Sequence, residues 1–148
     1  MKPASPLDPS KEIEFVTALN WKLGLIAGFC FRRIDFPWMA VWEENCAREY
    51  APWNGKTQAR GMEFGTTPMP LGKEATFNQG QFLGAPCWCK VAAKGVRSAA
   101  YLAFLAPLPS GWKKVRDVRI DKEGVVLLGA GRRDRAIVRA SGLEEFLS

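Results

Sequence analysis

The sequence predicts an all-β fold, an antiparallel β-sandwich formed as a single domain over residues 1–148. Short segments rich in β-branched, aromatic and alternating apolar residues recur along the chain, with glycine- or proline-containing turns between them. The composition is that of a globular protein, with 47% hydrophobic and 24% charged residues. We therefore expect a hydrophobic core and less than about 15% helix.

The N-terminal residues 1–11 are predicted to form a loose lead-in, because they contain three prolines and no periodic pattern. They also lack the apolar core of a signal peptide, and no apolar run in the chain has membrane-spanning length. A cytoplasmic location is the resulting expectation.

The first two strands are predicted at Glu12–Leu19 and Lys22–Arg33. Glycines 24 and 28 disfavour a helix in the second segment. Alternation there places the large apolar side chains on one face, opposite the glycines. That face consists of Leu23, Leu25, Ala27, Phe29 and Phe31.

A third strand is predicted at Trp38–Asn45, followed by a polar loop with an Asn54-Gly55 turn signal. A short strand over Gly61–Thr67 then ends at two prolines. The segment Lys73–Gly84 fits either a short helix or an irregular crossover.

The second half of the chain predicts two hairpins. Cys87–Ala93 and Val96–Leu105 are apolar runs joined by Ala-Lys-Gly, and Lys114–Ile120 and Val125–Leu128 flank Asp-Lys-Glu-Gly. A last strand at residues 135–140 and one helical turn at residues 143–147 complete the predicted elements.

The net charge of +6 is concentrated in the last third of the chain. Residues 113–139 contain nine basic and four acidic side chains, a net charge of +5. Because acids are interleaved with the basic residues, a solvated face of the sheet is favoured over a nucleic-acid surface. An interaction surface for an anionic partner remains the alternative.

The four cysteines, at positions 30, 46, 87 and 89, predict free thiols. Cys87 and Cys89 form a C-x-C pair, but zinc sites usually combine wider spacings with histidine, and this sequence has no histidine. We therefore predict no metal site and no cofactor.

The segment Phe36–Leu71 resembles the C-terminal half of aldose 1-epimerase, or galactose-mutarotase-like, proteins, especially the sugar-phosphate mutarotase branch. Trp42-Glu43-Glu44-Asn45 is similar to that family's tryptophan- and asparagine-containing strand tip. Gly61-Met62-Glu63-Phe64-Gly65 is similar to the following strand, which carries the catalytic glutamate in the family. The resemblance is looser along residues 20–108 and does not include the family's N-terminal half.

The resemblance implies that Glu63 occupies the place of the general base. It also implies a shared concavity for Glu63, Arg60 and Trp42, with Asn45 or Arg48. The predicted substrate-binding residues are Trp42, Glu43, Asn45, Arg48, Trp53, Asn54 and Arg60. Structural alternatives are that the tryptophans form the core, with Trp53 the one most exposed, and that Glu63 forms an ion pair with Arg60.

Ring opening of a sugar needs a base and an acid, and the natural acid, histidine, is missing from the sequence. Glu43, Glu44 or a cysteine would have to replace it. Three functions therefore compete. They are a carbohydrate or sugar-phosphate binding module without turnover, an active epimerase-type isomerase that uses Glu63, and an interaction protein with a basic C-terminal surface.

The resemblance to only half of a larger sandwich predicts exposed apolar surface. Val96–Leu105 and Val125–Leu128 are the candidate runs for it. A two-fold homodimer is the expected way to cover this surface, with a partner chain supplying the missing half or a smaller closed sandwich as alternatives.

Overall fold

The computed structural model describes residues 5–6, 12–68, 71–143 and 146, and only the backbone of Ser5 and Pro6. Its regular structure consists of antiparallel strands and one short helix, which confirms the all-β prediction. The chain divides into two compact units: unit 1 comprises residues 1–12 and 33–98, and unit 2 comprises residues 13–32 and 99–148. The sandwich arrangement and the single domain stay predictions.

The strands lie close to the predicted segments, except at residues 5–6, within the predicted lead-in, and in the region between the helix and residue 101. The helix α1 (Lys73–Gln79) precedes the sixth strand. In chain order the strands are β1 (Ser5–Pro6), β2 (Ile13–Asn20), β3 (Leu25–Arg32), β4 (Trp38–Asn45), β5 (Gln58–Gly65), β6 (Gln81–Phe82), β7 (Ala85–Pro86), β8 (Tyr101–Pro107), β9 (Asp117–Asp121), β10 (Gly124–Leu128) and β11 (Arg135–Arg139).

Unit 2 contains two three-stranded antiparallel sheets, ordered β2-β3-β8 and β9-β10-β11. Both sheets contribute to one hydrophobic core. Its buried members are Ile26, Cys30, Phe104, Ala106, Trp112, Val125, Leu127 and Phe146. Burial in this core raises the pKa of the Cys30 thiol to about 12, so the thiol is protonated at neutral pH.

Strand β3 packs into this core through a glycine. Gly28 is opposite Phe104 in the β3–β8 register, and a Cβ at Gly28 would lie 2.2 Å from Cζ of the Phe104 ring. The ring therefore covers the backbone where a side chain would otherwise stand. Only glycine allows the two strands to keep this contact.

The two faces of β3 are buried to different extents. Ile26, Gly28 and Cys30 are buried, whereas Leu25 and Phe29 on the other face are only partly covered. The Phe104 ring fills the space above Gly28, on the same face as Ile26 and Cys30. Phe31 is buried as well, so both faces of β3 carry covered apolar side chains.

Unit 1 contains the sheet β1-β4-β5 and the small hairpin β6-β7. β1 lies opposite Trp38 and Met39, an element that the sequence did not predict. Trp38 is 1% exposed, stacks on Phe82 with ring centroids 5.9 Å apart, and donates its indole N–H to the Pro86 carbonyl. Trp38 is therefore a core residue, as the structural alternative held.

The helix α1 confirms one of the two alternatives for residues 73–84. The Thr76 side chain donates a hydrogen bond to the Gly72 carbonyl (2.9 Å), and Gly80 ends the helix at a φ of 64°. Glycine is favoured at this position because it adopts a positive φ without steric strain. No helix in the part of the chain described by the structure is long and apolar enough to cross a membrane.

The predicted hairpin of Cys87–Ala93 with Val96–Leu105 is wrong. Residues 87–100 form no strand, and residues 89–100 are all exposed, so they bury no side chains that would stabilise one. The chain becomes a strand only at Tyr101, where β3 provides a partner. Pairing with a distant strand replaces the predicted local pairing.

The second predicted hairpin is confirmed as β9–β10, and β11 pairs with β10 on its other side. Val125 and Leu127 are buried in the core of unit 2. The expectation that Val125–Leu128 forms exposed apolar surface is therefore wrong. The predicted helical turn at residues 143–147 lies largely outside the described residues.

Replacing Gly28 by valine is expected to destabilise the protein by about 1–3 kcal/mol, because the new side chain overlaps the Phe104 ring. Gly65→Ala is the matched control, since a Cβ there meets no atom within 4 Å. Urea unfolding measures both variants. Equal stability of Gly28→Val and wild type would contradict the packing described here.

Candidate functional site

The β4–β5 hairpin separates its side chains onto two faces. In the observed register Trp42 lies opposite Gly61, and Ala40 lies opposite Glu63. Directly opposed residues of an antiparallel pair share a face. We call the face that contains Trp38, Ala40, Trp42, Glu44, Ala59, Gly61, Glu63 and Gly65 the tryptophan face.

The chain leaves β4 through a sharp turn. Cys46 has a φ of 57°, in the left-handed region that few non-glycine residues adopt, and its N–H donates to the Thr57 carbonyl (2.9 Å). The loop of residues 46–57 is held by further backbone hydrogen bonds, among them Gly55 N–H to the Arg48 carbonyl (2.8 Å). The loop thus folds back toward the strand from which it came.

Glu44 fixes the start of this loop. Its carboxylate is buried, with 5% of the residue exposed. Oε1 accepts hydrogen bonds from the backbone N–H groups of Ala47 (2.7 Å) and Arg48 (3.1 Å), and Oε2 pairs with Arg48 Nε at 3.1 Å. A buried carboxylate is stable when donors satisfy its oxygens, as they do here.

Arg48 contacts two indoles. Its guanidinium carbon lies 5.0 Å from the centroid of Trp42 and 4.8 Å from that of Trp53, both within cation–π range. The indoles contact each other at a centroid distance of 6.4 Å. Glu44 forms an ion pair with the same guanidinium. Two tryptophans and one arginine therefore form a group in mutual contact beside the hairpin.

Glu63 borders the same group. A Cβ at Gly61 would lie 3.3 Å from Glu63 Oε1 and 3.6 Å from Trp42 Cε3, so the carboxylate and the indole both adjoin the space above the glycine. Glu63 is exposed, whereas Trp42 and Trp53 are half-buried. The tryptophan face thus presents indole surface beside an accessible carboxylate.

Arg60 does not lie with Glu63. It is opposite Glu43 in the register, on the other face of the hairpin, and forms an ion pair with it. Asn45 is on that face too, where its Oδ1 accepts a hydrogen bond from Gln58 Nε2 (3.0 Å). The predicted grouping of Glu63 with Arg60, and the alternative ion pair between them, are therefore wrong.

The remaining predicted residue, Asn54, belongs to the loop itself. It has a φ of 49°, and its side-chain amide donates to the Pro52 carbonyl (3.3 Å). The predicted Asn-Gly turn is present. Of the eight predicted site residues, the structure brings together Trp42, Arg48, Trp53 and Glu63.

Sequence reasoning missed the anchoring role of Glu44. The signal was available, because Glu44 and Arg48 are opposite charges four residues apart, one at the penultimate position of the predicted strand and one just after the strand. Tyr50 was missed as well: it lies in the same loop and is 64% exposed. Trp53 is less exposed than predicted, and the exposed tryptophan is Trp21, at 66%.

Other candidate chemistry is sparse in the part of the chain that the structure describes. No group of three His, Cys, Asp or Glu residues there is arranged to hold a metal ion. In unit 2 several basic side chains have structural partners: Arg119 pairs with Asp117, and Arg135 pairs with Glu123. The tryptophan face therefore remains the best-defined site.

Comparisons with protein-family models, with curated proteins and with solved structures give no match to this sequence. The residues of the hairpin and its loop thus carry the functional argument alone.

Replacing Glu44 by alanine is expected to cost about 1–3 kcal/mol, because two backbone donors and a guanidinium lose their buried acceptor. Glu43→Ala is the matched control. Glu43 is exposed, and its ion pair with Arg60 contributes about 0–1 kcal/mol. Urea unfolding followed by tryptophan fluorescence compares them, and equal losses would contradict the anchoring role of Glu44.

Proposed function

We propose that the tryptophan face and its loop form a carbohydrate-binding surface that does not catalyse turnover. The observation that carries this proposal is the fixed group of Trp42, Arg48 and Trp53 beside the exposed Glu63 carboxylate. Indoles offer flat apolar surface for the C–H faces of a sugar ring, and a carboxylate accepts hydrogen bonds from its hydroxyls. The resemblance to galactose-mutarotase-like proteins supports the same ligand class.

The charges of the surface favour a neutral sugar over a sugar phosphate. Arg48 is its central cation, and Glu44 already pairs with it at 3.1 Å. Glu63 adds an exposed acidic group to the same face. A phosphate would gain little from the Arg48 guanidinium, because Glu44 already neutralises its charge, and the phosphate would be repelled by Glu63.

The arrangement of the carboxylates argues against catalysis. Glu63 needs an acidic partner on the same face to open a sugar ring. Glu43 lies on the opposite face, and both oxygens of Glu44 are engaged within the loop. The sequence contains no histidine to serve as the acid, and neither Glu43 nor Glu44 is placed to replace it.

Binding is the first expected outcome. Neutral monosaccharides and short oligosaccharides, tested by isothermal titration calorimetry and by NMR shifts, should bind more tightly than the matching sugar phosphates. Trp42→Ala and Trp53→Ala should each weaken binding about 10-fold, equivalent to ~1.4 kcal/mol, through loss of stacking surface.

Trp21→Ala is the control for this experiment, because it removes an exposed tryptophan from unit 2 rather than from the hairpin. Its affinity should equal that of wild type. Absence of binding to a glycan array and to free sugars would exclude the proposal. An equal loss of affinity in all three tryptophan variants would contradict a binding site on the tryptophan face.

The second expected outcome is that the protein does not accelerate mutarotation. Polarimetry on freshly dissolved α-glucose and α-galactose should give the uncatalysed rate with wild type and with Glu63→Gln, because an acid–base group contributes about 10²–10⁴-fold and the acid is missing. Saturable catalysis that disappears in Glu63→Gln would instead establish the epimerase-type isomerase.

A further inference from the structure

The β6–β7 hairpin turns through a leucine in an unfavourable conformation. Its two turn residues, Leu83 and Gly84, have φ values of 48° and 80°. Type I′ hairpin turns require two positive φ values, which asparagine followed by glycine usually supplies. A positive φ is strained for leucine, and Leu83 is 65% exposed, so burial does not compensate for the strain. The leucine thus contributes little to folding, which indicates a role at the surface.

The base of this hairpin is held by contacts on both sides. The Cys87 N–H donates to the Gly80 carbonyl (2.9 Å), and Trp88 stacks on Phe77 of α1 with ring centroids 4.9 Å apart. Each strand of the hairpin has only two residues, so the tip at Leu83 lies about 7 Å beyond this base. The chain that follows Trp88 therefore starts close to the hairpin tip.

That chain is positively charged. We call residues 89–98 the basic segment; all of them are exposed. They include Lys90, Lys94 and Arg97, and the sequence contains no acidic residue from position 75 to position 116. None of these three basic side chains forms an ion pair within the part of the chain that the structure describes. The basic segment therefore presents its charge to solvent.

Exposed apolar side chains accompany this charge. Val91 is 68% and Val96 is 95% exposed on the basic segment, and Phe77, at 55%, is exposed on α1. Together with Leu83 they add apolar groups to a short stretch of unit 1. Exposed apolar groups bordered by polar side chains are typical of protein or membrane contacts.

We propose that the hairpin tip and the basic segment bind the surface of an anionic phospholipid bilayer. Leu83 and the two valines enter the boundary between headgroups and acyl chains, and the basic side chains extend to the lipid phosphates. Each basic side chain near an anionic leaflet strengthens binding. Such binding is peripheral and requires no membrane-spanning helix. It is independent of carbohydrate binding.

The apolar side chains favour a bilayer over a nucleic acid. Leu83, Val91 and Val96 are aliphatic, and acyl chains accommodate such groups. Single-stranded nucleic acids are instead bound largely by stacking of bases on aromatic rings. Phe77 and Trp88 already stack on each other, with 18° between their planes, so one face of each ring is occupied.

Co-sedimentation with vesicles tests the proposal. The vesicles consist of phosphatidylcholine alone or with about 30% phosphatidylserine, which gives the surface its negative potential. Wild type should bind the anionic vesicles and not the neutral ones. Sodium chloride at about 0.5 M should release the protein, because salt screens the attraction between the basic side chains and the lipids.

Two pairs of lysines separate local from general charge. Lys90→Gln with Lys94→Gln should weaken binding to the anionic vesicles about 10- to 30-fold. Lys113→Gln with Lys114→Gln is the matched control, because it removes the same charge from exposed positions in unit 2. Its affinity should fall by less than about 3-fold, since charges away from the contact are screened.

A pair of leucine variants tests the apolar contribution. Leu83→Asn removes the apolar side chain but tolerates the positive φ of the turn, and it should weaken binding about 5-fold. Leu23→Asn is the matched control, because Leu23 is 66% exposed in unit 2. It should bind like wild type. Circular dichroism verifies the fold of every variant.

Several results would overturn the proposal. They are absence of binding to the anionic vesicles, equal binding to both vesicle types, and equal losses within the lysine pairs or within the leucine pair. Fluorescence anisotropy with a single-stranded oligothymidylate covers the nucleic-acid alternative. A wild type that binds this oligonucleotide but not the vesicles would assign the basic segment to nucleic acid instead.

Discussion

Glu44 lies at the end of β4 with its carboxylate withdrawn from solvent, and the following loop supplies every donor that satisfies it. Two of these donors are backbone N–H groups, and the third is the Arg48 side chain. Without this acceptor the turn at Cys46 would leave those backbone groups unpaired. The position of Arg48 against the indoles depends on the same carboxylate, so one side chain links the path of the backbone to the geometry of the site.

The hairpin register adds the second requirement. Gly61 opposite Trp42 leaves open space beside the indole, and Glu63 borders that space. Any side chain at position 61 would fill it. The site therefore results from three local features: the buried acceptor Glu44, the two indoles in contact with Arg48, and Gly61 opposite Trp42.

Unit 2 follows a related principle in its core. Gly28 lets the Phe104 ring rest directly on the backbone of β3, on the face that also carries the buried Ile26 and Cys30. The opposite face retains apolar side chains that continue onto β8, where Phe29 and Tyr101 have ring centroids 6.2 Å apart.

The sequence by itself determined the positions of the strands that pair with a near neighbour. β4 matches its predicted bounds, and β9–β10 matches the predicted hairpin, because period-two alternation and turn chemistry are local properties. Trp42 and Glu63 were also predicted as site residues from a short segment. The glycines on either side of Glu63 were visible there as well.

Only the tertiary structure decided the rest. β5 begins at Gln58 rather than Gly61, which places Arg60 within the strand and hence on the face opposite Glu63. β8 pairs with β3, more than 60 residues away in the sequence, rather than with Cys87–Ala93. The start of β5 is decided by the pairing of Gln58 with Asn45 across the loop. In the case of β8 the deciding contact joins residues distant in the chain, and a local pattern contains no information about which distant partner fills the space.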